Sequence, residues 1–214
     1  MTTQAAGGAV PEYGYADAAP RCAHAYLREA VRALLPADLR GIRILDVGCG
    51  NGAMLGWLCA QGAAGVGLDP SGQGIAAARS AFKGVRFEQE LAAPDVLARL
   101  SEAPFDVVIS TEVVEHLYAP RDWAVGCAAA LKPGGTLICS TPYHGYLKNL
   151  VLSLSNKWDK HWNPLWDGGH IKFWSRRTLE ALLREAHLEP EAFRGAGRWP
   201  WLWKSMLIRA RKRA

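Results

Sequence analysis

Residues 42–52 read Ile-Arg-Ile-Leu-Asp-Val-Gly-Cys-Gly-Asn-Gly, and this stretch decides the fold. Its first six residues form a short apolar run rich in β-branched side chains, which is typical of a strand buried on both faces. Three glycines at alternate positions then predict a tight turn, because glycine tolerates positive φ and lets the backbone approach a ligand closely. A helix is predicted from about residue 53, with its unpaired N–H groups facing the same place.

The glycine loop is compatible with two kinds of ligand. Gly48-Cys49-Gly50-Asn51-Gly52-Ala53 fits the G-x-G-x-x-G/A fingerprint of dinucleotide-binding proteins, and the acidic Asp69 follows at the spacing that this fingerprint requires. Asp46 favours a different ligand, because a carboxylate two residues before the first glycine would repel a pyrophosphate but suits an ammonium or sulfonium group. The alternative is that Asp46 ties down the loop by accepting hydrogen bonds from backbone N–H groups.

Length and composition predict one α/β domain. The chain has 214 residues, half of them hydrophobic, which is enough to bury a core and excludes general disorder. Its net charge is +5, and basic residues accumulate after Glu191. Such a terminus is usually a solvated tail, so nucleic acid is not an expected partner. Five scattered cysteines without a C-x-x-C pair predict free thiols. The chain shows neither a membrane span nor a secretory signal, so the cytoplasm is the expected location.

Strand-like and helix-like patterns alternate along the chain. Helices are predicted at about 20–35, 53–61, 71–82, 94–101, 120–131 and 176–187, and strands at about 42–47, 64–69, 85–88, 105–110 and 135–140. The alternation predicts a parallel sheet with helices on both faces, and ligands of such sheets bind beyond the carboxyl ends of the strands. Residues 188–193 and 202–209 are candidates for two further strands. Residues 1–19 are predicted to be flexible, and residues 20–214 to form the single domain.

Four motifs together resemble those of class I S-adenosylmethionine-dependent methyltransferases. They are the glycine loop with Asp46, Gly67-Leu68-Asp69, residues 105–110, and the Leu-Lys-Pro-Gly-Gly turn at 131–135. The resemblance covers roughly residues 40–188. It implies a Rossmann-like fold with a seven-stranded, mostly parallel sheet whose last strand is antiparallel.

The same resemblance implies where S-adenosylmethionine would bind. Asp46 and the loop residues Gly48, Cys49, Gly50 and Asn51 would hold its methionine part, and Asp69 would bind the ribose. Pro70 and Leu91 would pack the adenine, with the Leu91 backbone N–H as a further contact, and Thr111 completes the implied cofactor site.

Residues 143–175 interrupt the alternation after the fifth strand. Long insertions in compact domains are usually functional or disordered, and the tryptophans of this one argue against disorder. We predict a lid over the substrate, with acceptor contacts from Tyr143, His144, Trp162, Trp166 and His170. Residues 147–166 also combine apolar side chains with Trp and Lys, as segments at a membrane interface do, so peripheral membrane contact is a second prediction. The alternative is a helix that packs on the domain's own surface.

The reaction chemistry is predicted to lie just after the fourth strand. Glu112, Glu115 and His116 offer two carboxylates and an imidazole at helical spacing. His116, with Glu115 beside it, would be the catalytic base that removes a proton from an acceptor hydroxyl. Alternatively, the three residues would hold a hard divalent ion such as Mg²⁺. The remaining possibility is that Glu115 and His116 cap a helix and pack the cleft wall.

Residues around this segment resemble the 3-demethylubiquinone O-methyltransferase branch. They are Glu-Val-Val-Glu-His-Leu at 112–117, Ser-Thr-Pro at 140–142 and Gly-His at 169–170. The resemblance implies O-methylation of a catechol-like hydroxyl on a hydrophobic quinone precursor, with a divalent metal on Glu112, Glu115 and His116. Tyr143-His144-Gly145 departs from the branch pattern, so the acceptor pocket can differ. The alternatives are an N- or C-methyltransferase of small molecules, a nicotinamide-dependent oxidoreductase, and a non-catalytic cofactor-binding protein.

Overall fold

The computed structural model describes Asp17, Ala19 and residues 22–213. The predicted flexible segment 1–19 therefore lies outside the described residues, apart from Asp17 and Ala19. The helices are α1 (Cys22–Arg32), α2 (Ala53–Cys59), α3 (Gly72–Ala81), α4 (Val96–Leu100), α5 (Pro120–Ala130), α6 (Tyr146–Leu154), α7 (Trp158–His161) and α8 (Arg176–Glu185). The strands are β1 (Arg43–Val47), β2 (Ala64–Leu68), β3 (Arg86–Glu88), β4 (Phe105–Thr111), β5 (Leu131–Pro142), β6 (Leu188–Ala196) and β7 (Ser205–Lys212).

Seven strands form one sheet in the order β3-β2-β1-β4-β5-β7-β6. The first five strands pair in parallel, whereas β7 is antiparallel to both β5 and β6. The predicted seven-stranded, mostly parallel sheet is confirmed. The strand order reverses between β1 and β4, because the chain builds outward to β3 on one side and to β5 on the other. The carboxyl ends of β1 and β4 therefore flank the crevice where ligands of such sheets bind.

Hydrophobic residues of the strands alternate between two cores. Leu45 of β1 belongs to a core that includes Trp123 of α5, whereas Ile44 belongs to a core that includes Leu27 of α1 and Leu55 of α2. Side chains of a strand alternate between faces, so these are the two faces of the sheet. Helices on both faces are thus confirmed.

Most element boundaries differ from the sequence prediction by a few residues, and two features of the C-terminal half differ more clearly. β5 begins at Leu131 because Leu131 pairs with Phe105 of β4, and regular pairing resumes at Val107 and Thr136 after a bulge that contains the Pro-Gly-Gly residues. The basic C-terminal run is mostly not a solvated tail, because Arg209 and Arg211 lie in β7 and both form ion pairs with Glu191 of β6. Within the described residues, no helix is long and apolar enough to cross a membrane.

Candidate active site

The glycine loop after β1 has the geometry that its sequence predicts. Gly48, Gly50 and Gly52 adopt φ of 77°, 53° and 76°, which is the left-handed region that favours glycine. A Cβ on Gly48 would lie 2.3 Å from a methyl group of Val113, which follows β4. Gly48 therefore lets the loop touch the segment after β4, and α2 begins directly behind it at Ala53.

Two carboxylates lie beneath this loop, and they have different roles. Asp69, at the end of β2, accepts hydrogen bonds from the Gly50 N–H (2.8 Å) and the Ser71 N–H (2.8 Å). Asp46 is 1% exposed, and no described group donates a hydrogen bond to either of its oxygens. Burial, and then the charge of Asp69, raise the pKa of Asp46 to about 8. The loop-tying role considered for Asp46 therefore belongs to Asp69, whereas the Asp46 carboxyl has no hydrogen-bond partner among the described groups.

The other predicted cofactor residues surround this loop. Asn51 donates through Nδ2 to the carbonyls of Asp17 (2.9 Å) and Ala19 (3.0 Å), so its side chain binds the backbone at these two residues. The Cys49 side chain is buried, and burial raises the pKa of its thiol well above the usual value. This residue can therefore offer a ligand little besides its backbone.

An exposed apolar residue lies on the side of the loop where the adenine is expected. Leu91 is half-exposed, and the Glu90 N–H binds the carbonyl of Asp69 (3.2 Å), which places this turn beside the end of β2, next to Pro70. The Leu91 N–H, expected to serve the adenine, donates to its neighbour Glu90 (3.0 Å). Thr111 is the last residue of β4 and pairs with Ser140 of β5. It therefore lies directly before the segment that carries Glu112, Glu115 and His116.

Glu115, His116 and His170 meet on the other side of the crevice. Glu115 Oε1 lies 3.9 Å from His116 Nε2 and 4.0 Å from His170 Nε2. No described group hydrogen-bonds to either carboxylate oxygen of Glu115, which is 1% exposed. Three ligand atoms from these residues lie within 4.8 Å of one another, which could hold a metal ion.

The protonation of this cluster follows from its surroundings. His116 Nδ1 faces the carbonyls of Gly168 (2.8 Å) and Gly169 (3.1 Å), so this nitrogen must carry a proton and donate. The lone pair of a neutral His116 therefore sits on Nε2, toward Glu115. Burial lowers the pKa of His116, and burial with the charge of His116 lowers that of His170 to about 4. Burial, and then the charge of Glu112, raise the pKa of Glu115 well above its usual range.

Glu112 does not join this cluster. It has a left-handed backbone, with φ of 56°, and the helix after it is only the short 3₁₀ turn Val114–His116. Its carboxylate accepts hydrogen bonds from the Ser140 hydroxyl (2.7 Å) and the Ser205 hydroxyl (3.0 Å). The structure thus brings together Glu115 and His116 of the predicted metal set, with His170 in the place expected for Glu112.

The insertion supplies an aromatic wall beside these residues. Trp162 stacks on Phe173 with ring centres 4.1 Å apart, and His144 contacts Phe173 at 4.4 Å. Trp166 lies 5.7 Å from His116 and 5.5 Å from His170. Four of the five predicted acceptor residues belong to this one cluster: His144, Trp162, Trp166 and His170. The fifth, Tyr143, packs its ring on Trp203 instead. Phe173 was not selected from the sequence, and only its position three residues after Gly-His pointed to it.

The backbone fastens the insertion to the same place. The N–H groups of Ile171 and Lys172 donate to the Glu115 carbonyl at 2.9 Å and 3.1 Å. The indole N–H of Trp174 donates to the Val114 carbonyl at 3.2 Å. The end of the insertion is thus fixed to the segment that carries Glu115, so the aromatic wall and the cluster form one site.

Comparisons with known proteins agree with this arrangement. The family model described as "Methyltransferase domain" matches residues 20–192. The ubiquinone biosynthesis O-methyltransferase of Roseobacter denitrificans is 32% identical over 173 residues, which are 79% of this chain and 69% of that protein.

Solved structures share the fold. Magnesium protoporphyrin IX methyltransferase from Synechocystis, with bound S-adenosylhomocysteine, has a TM-score of 0.63 at 21% identity and covers 88% of this chain and 82% of its own. An S-adenosylmethionine-dependent methyltransferase from Mesorhizobium loti has a TM-score of 0.63 at 23% identity, with 86% and 96% covered. At these identities the likeness establishes the fold alone.

Proposed function

This chain belongs to the S-adenosylmethionine-dependent methyltransferase family, and we propose that it methylates a hydroxyl group of a small aromatic acceptor of the quinol or catechol type. The acceptor oxygen attacks the methyl carbon, the carbon–sulfur bond breaks, and S-adenosylhomocysteine leaves. The hydroxyl proton passes to a base. The sulfonium is already an activated donor, so the main task of the protein is to hold oxygen, methyl carbon and sulfur in line.

Asp46, below the glycine loop where S-adenosylmethionine is expected to bind, supports this proposal. A buried carboxylate without a hydrogen-bond partner is costly, and a cationic ligand relieves that cost. S-adenosylmethionine carries both an ammonium and a sulfonium group. A nicotinamide dinucleotide instead presents a pyrophosphate to the loop, which an ionised Asp46 would repel.

The observation that carries the proposal is the Glu115–His116–His170 cluster, because it supplies a group that can remove the proton of an attacking hydroxyl. A neutral His116, with its proton fixed on Nδ1, presents Nε2 as a base. The aromatic wall of Trp162, Trp166 and Phe173 offers ring faces and edges to an aromatic acceptor. The name of the Roseobacter relative favours oxygen over nitrogen or carbon as the acceptor atom.

Because His116 Nε2 cannot both take a proton and bind a metal, we propose as the alternative to the base role that Glu115, His116 and His170 are the ligands of a divalent ion, and that this ion, not His116, activates the hydroxyl. Hydrogen bonds from the other ring nitrogen commonly orient metal-binding histidines, as the Gly168 and Gly169 carbonyls orient His116. Two imidazoles and one carboxylate suit manganese, iron, cobalt or zinc better than Mg²⁺, which prefers oxygen. A divalent ion at this place lowers the pKa of a coordinated hydroxyl. The implied set with Glu112 would instead have favoured Mg²⁺.

Product analysis tests the reaction. Purified protein is incubated with S-adenosylmethionine and a panel of dihydroxybenzenes, and mass spectrometry locates the added methyl group. We expect methylation on oxygen, with kcat reduced about 10²–10⁴-fold in His116→Ala, because general-base catalysis contributes about that much. Transfer to amines or carbon alone would overturn the proposal.

Metal binding is tested separately by calorimetry with Mn²⁺, Zn²⁺ and Mg²⁺ on the cofactor-free protein. We expect His170→Ala to weaken binding of Mn²⁺ or Zn²⁺ at least tenfold, whereas His187→Ala, which changes a histidine in the turn between α8 and β6, does not. Equal binding in the His170 variant and the wild type would remove this residue from the ligand set.

Peripheral membrane contact through residues 147–166 is the last part of the proposal. Leu147, Leu150, Val151 and Leu154 of α6 are exposed, and Leu165 is exposed beyond it. An exposed apolar face of this kind is suited to the interface of a membrane. Sedimentation with phosphatidylglycerol vesicles tests this: Leu150→Asp/Leu154→Asp should lower the bound fraction several-fold, and Val125→Asp on α5 should not. Equal sedimentation of all three proteins would argue against the contact.

A further inference from the structure

The chain leaves the sheet at Glu112 in a backbone conformation that few residues other than glycine adopt. Thr111 is the last residue of β4, and Glu112 directly after it has a left-handed φ of 56°. A residue with a Cβ is strained in this region, so contacts with the surrounding structure must hold it there. The side chain of Glu112 is therefore expected to be fixed by its neighbours.

Two serines hold Glu112 in place. The Glu112 N–H donates to the backbone carbonyl and to the hydroxyl oxygen of Ser140, both at 3.1 Å. One carboxylate oxygen accepts from the Ser140 hydroxyl (2.7 Å), and the other accepts from the Ser205 hydroxyl (3.0 Å). These serines belong to β5 and β7, so the hydrogen bonds of Glu112 join the end of β4 to the two strands that follow it in the sheet.

The same network continues into α1 through Tyr26. The Tyr26 hydroxyl lies 3.1 Å from Ser205 Oγ. Because Ser205 gives its only hydroxyl proton to Glu112, Tyr26 must be the donor in this contact. A chain of hydrogen bonds thus runs from α1 to the carboxylate of Glu112. Connected hydrogen bonds of this kind strengthen one another, which makes the position of the carboxylate more rigid.

The short turn after Glu112 carries two members of the Glu115–His116–His170 cluster. It is a single 3₁₀ turn, Val114–His116, and a turn of this length has little stability of its own. Its position therefore depends on what holds its two sides. The end of the insertion holds one side by donating three hydrogen bonds to its carbonyls, and Glu112 precedes it on the other side.

We propose that Glu112 is a positioning residue, whose hydrogen-bonded carboxylate keeps the end of β4 in the left-handed turn that brings Glu115 and His116 into the site. This inference rests on the proposed function, because it concerns the same cluster, and it applies whether His116 is a base or a metal ligand. Glu112 supplies none of the ligand atoms that lie within 4.8 Å of one another in that cluster. Both of its oxygens accept hydrogen bonds, whereas no described group donates one to the Glu115 carboxylate. Glu112 therefore fixes the turn, and Glu115 remains available to a ligand.

The proposal is tested by comparing Glu112→Gln with Glu112→Ala through hydrogen exchange, without cofactor, metal or acceptor. The reporters are the indole N–H of Trp174 and the amides of Ile171 and Lys172, which donate to the carbonyls of the 3₁₀ turn. Glutamine keeps the length of the side chain and can hydrogen-bond to both serines, whereas alanine cannot. We expect exchange at the reporters to accelerate about fivefold or more in Glu112→Ala and to change less than about twofold in Glu112→Gln.

Glu88 provides a matched control. It ends β3, is partly buried, and accepts hydrogen bonds from Arg79 (2.7 Å) and Arg86 (2.9 Å), but β1 and β2 separate it from β4. Glu88→Ala should therefore leave exchange at the reporters unchanged. Ser205→Ala removes one hydrogen bond of Glu112 without changing the strained residue itself. It should also accelerate exchange, and it carries the comparison if Glu112→Ala does not fold.

Turnover gives a second readout. With the best dihydroxybenzene, we expect Glu112→Ala to lower kcat about tenfold or more and Glu112→Gln to stay within about threefold of the wild type, because a small misplacement of reacting groups costs rate. Rescue by glutamine is what separates positioning from metal ligation, since a neutral amide is a much poorer ligand than a carboxylate.

Unchanged exchange in Glu112→Ala would overturn the positioning role, and so would accelerated exchange with an unchanged kcat. A Glu112→Gln variant with wild-type exchange but much weaker Mn²⁺ binding would make Glu112 a metal ligand and overturn the proposal as well. If no hydroxyl acceptor is methylated at all, the proposed function fails, and the exchange comparison still decides whether Glu112 holds the turn.

Discussion

At the scale of single residues, Asp46 shows a conflict between stability and ligand binding. Its carboxyl is buried, none of the described groups donates a hydrogen bond to it, and its pKa is raised to about 8. The folded protein therefore holds this proton more tightly than the unfolded chain. The stability from this proton is fully present below about pH 4 and is lost as the pH rises to about 8. A cationic ligand would remove the conflict by pairing with the ionised form.

We predict that Asp46→Asn is progressively more stable than the wild type as the pH rises from 5 to 8, because the amide never ionises. Urea midpoints of the ligand-free proteins measure this difference. Asp106→Asn is the control: burial raises the pKa of Asp106, but hydrogen bonds from Lys132 and Arg43 lower it below its usual value. Its loss of stability should therefore stay constant over this range.

The same Asp46→Asn variant should bind S-adenosylmethionine at least tenfold more weakly by calorimetry, because removal of a buried counter-charge is costly. A gain in stability without a loss of affinity would contradict the role of Asp46 in cation binding.

The shape of the glycine loop was predictable from sequence because its geometry is local, whereas its role in binding the methyl donor was implied by the family resemblance and stays a prediction. Asp46, Gly48 and Gly50 occupy fixed positions relative to one strand end, so spacing alone placed them. His170 meets Glu115 across a 55-residue separation that no local pattern encodes. Glu112 was assigned to the metal by helical spacing, but its left-handed backbone turns the carboxylate toward Ser140 and Ser205.

At the scale of elements, the loop between β1 and α2 depends on glycine in a way that can be tested by two matched substitutions. Gly48 has φ of 77°, and an added Cβ would meet Val113 at 2.3 Å. Gly72 begins α3, and an added Cβ would make only an ordinary contact of 3.4 Å with Gln89.

We predict that Gly48→Ala lowers the free energy of unfolding by about 2–5 kcal/mol, since left-handed alanine costs about 1–2 kcal/mol and overpacking about 1–3 kcal/mol. Gly72→Ala should be neutral or stabilising by up to about 1 kcal/mol, because alanine restricts the unfolded chain. Chemical denaturation measures both. Similar losses in the two variants would mean that the loop has no special requirement for glycine.

The elements themselves were mostly predictable, since buried parallel strands are continuous apolar runs. The exceptions have a tertiary cause. The Lys-Pro-Gly-Gly residues signal a turn, yet the structure absorbs them as a bulge between two paired parts of β5. The basic residues of β7 predict a solvated tail. They form a strand instead, because Arg209 and Arg211 pair with Glu191 of β6, which neutralises part of their charge.

At the scale of the whole molecule, one sheet joins the two halves of the site. β1 carries Asp46 and β2 ends directly before Asp69, whereas β4 ends at Thr111, before Glu115 and His116. Because β1 and β4 pair directly, the donor and acceptor halves share one hydrogen-bonded sheet, and the Gly48–Val113 contact joins them above it. A ligand bound at the strand ends therefore touches the elements that carry both cores, and its binding energy should stabilise the domain as one cooperative unit.

We predict that S-adenosylmethionine raises the Tm of the whole chain in a single transition. At a ligand concentration 100 times Kd, binding to the folded state alone adds about 2.7 kcal/mol. For a chain of 214 residues, this corresponds to an increase of about 5–10 °C. Calorimetric scans with S-adenosylmethionine, with NADH and without ligand measure it, and the NADH scan should match the ligand-free one. Asp46→Asn, with binding at least tenfold weaker, should lose about half of the shift or more, because the ligand's cationic groups lose their buried counter-charge. Two separate transitions, with only one moved by the ligand, would show that the donor half unfolds independently of the rest of the sheet.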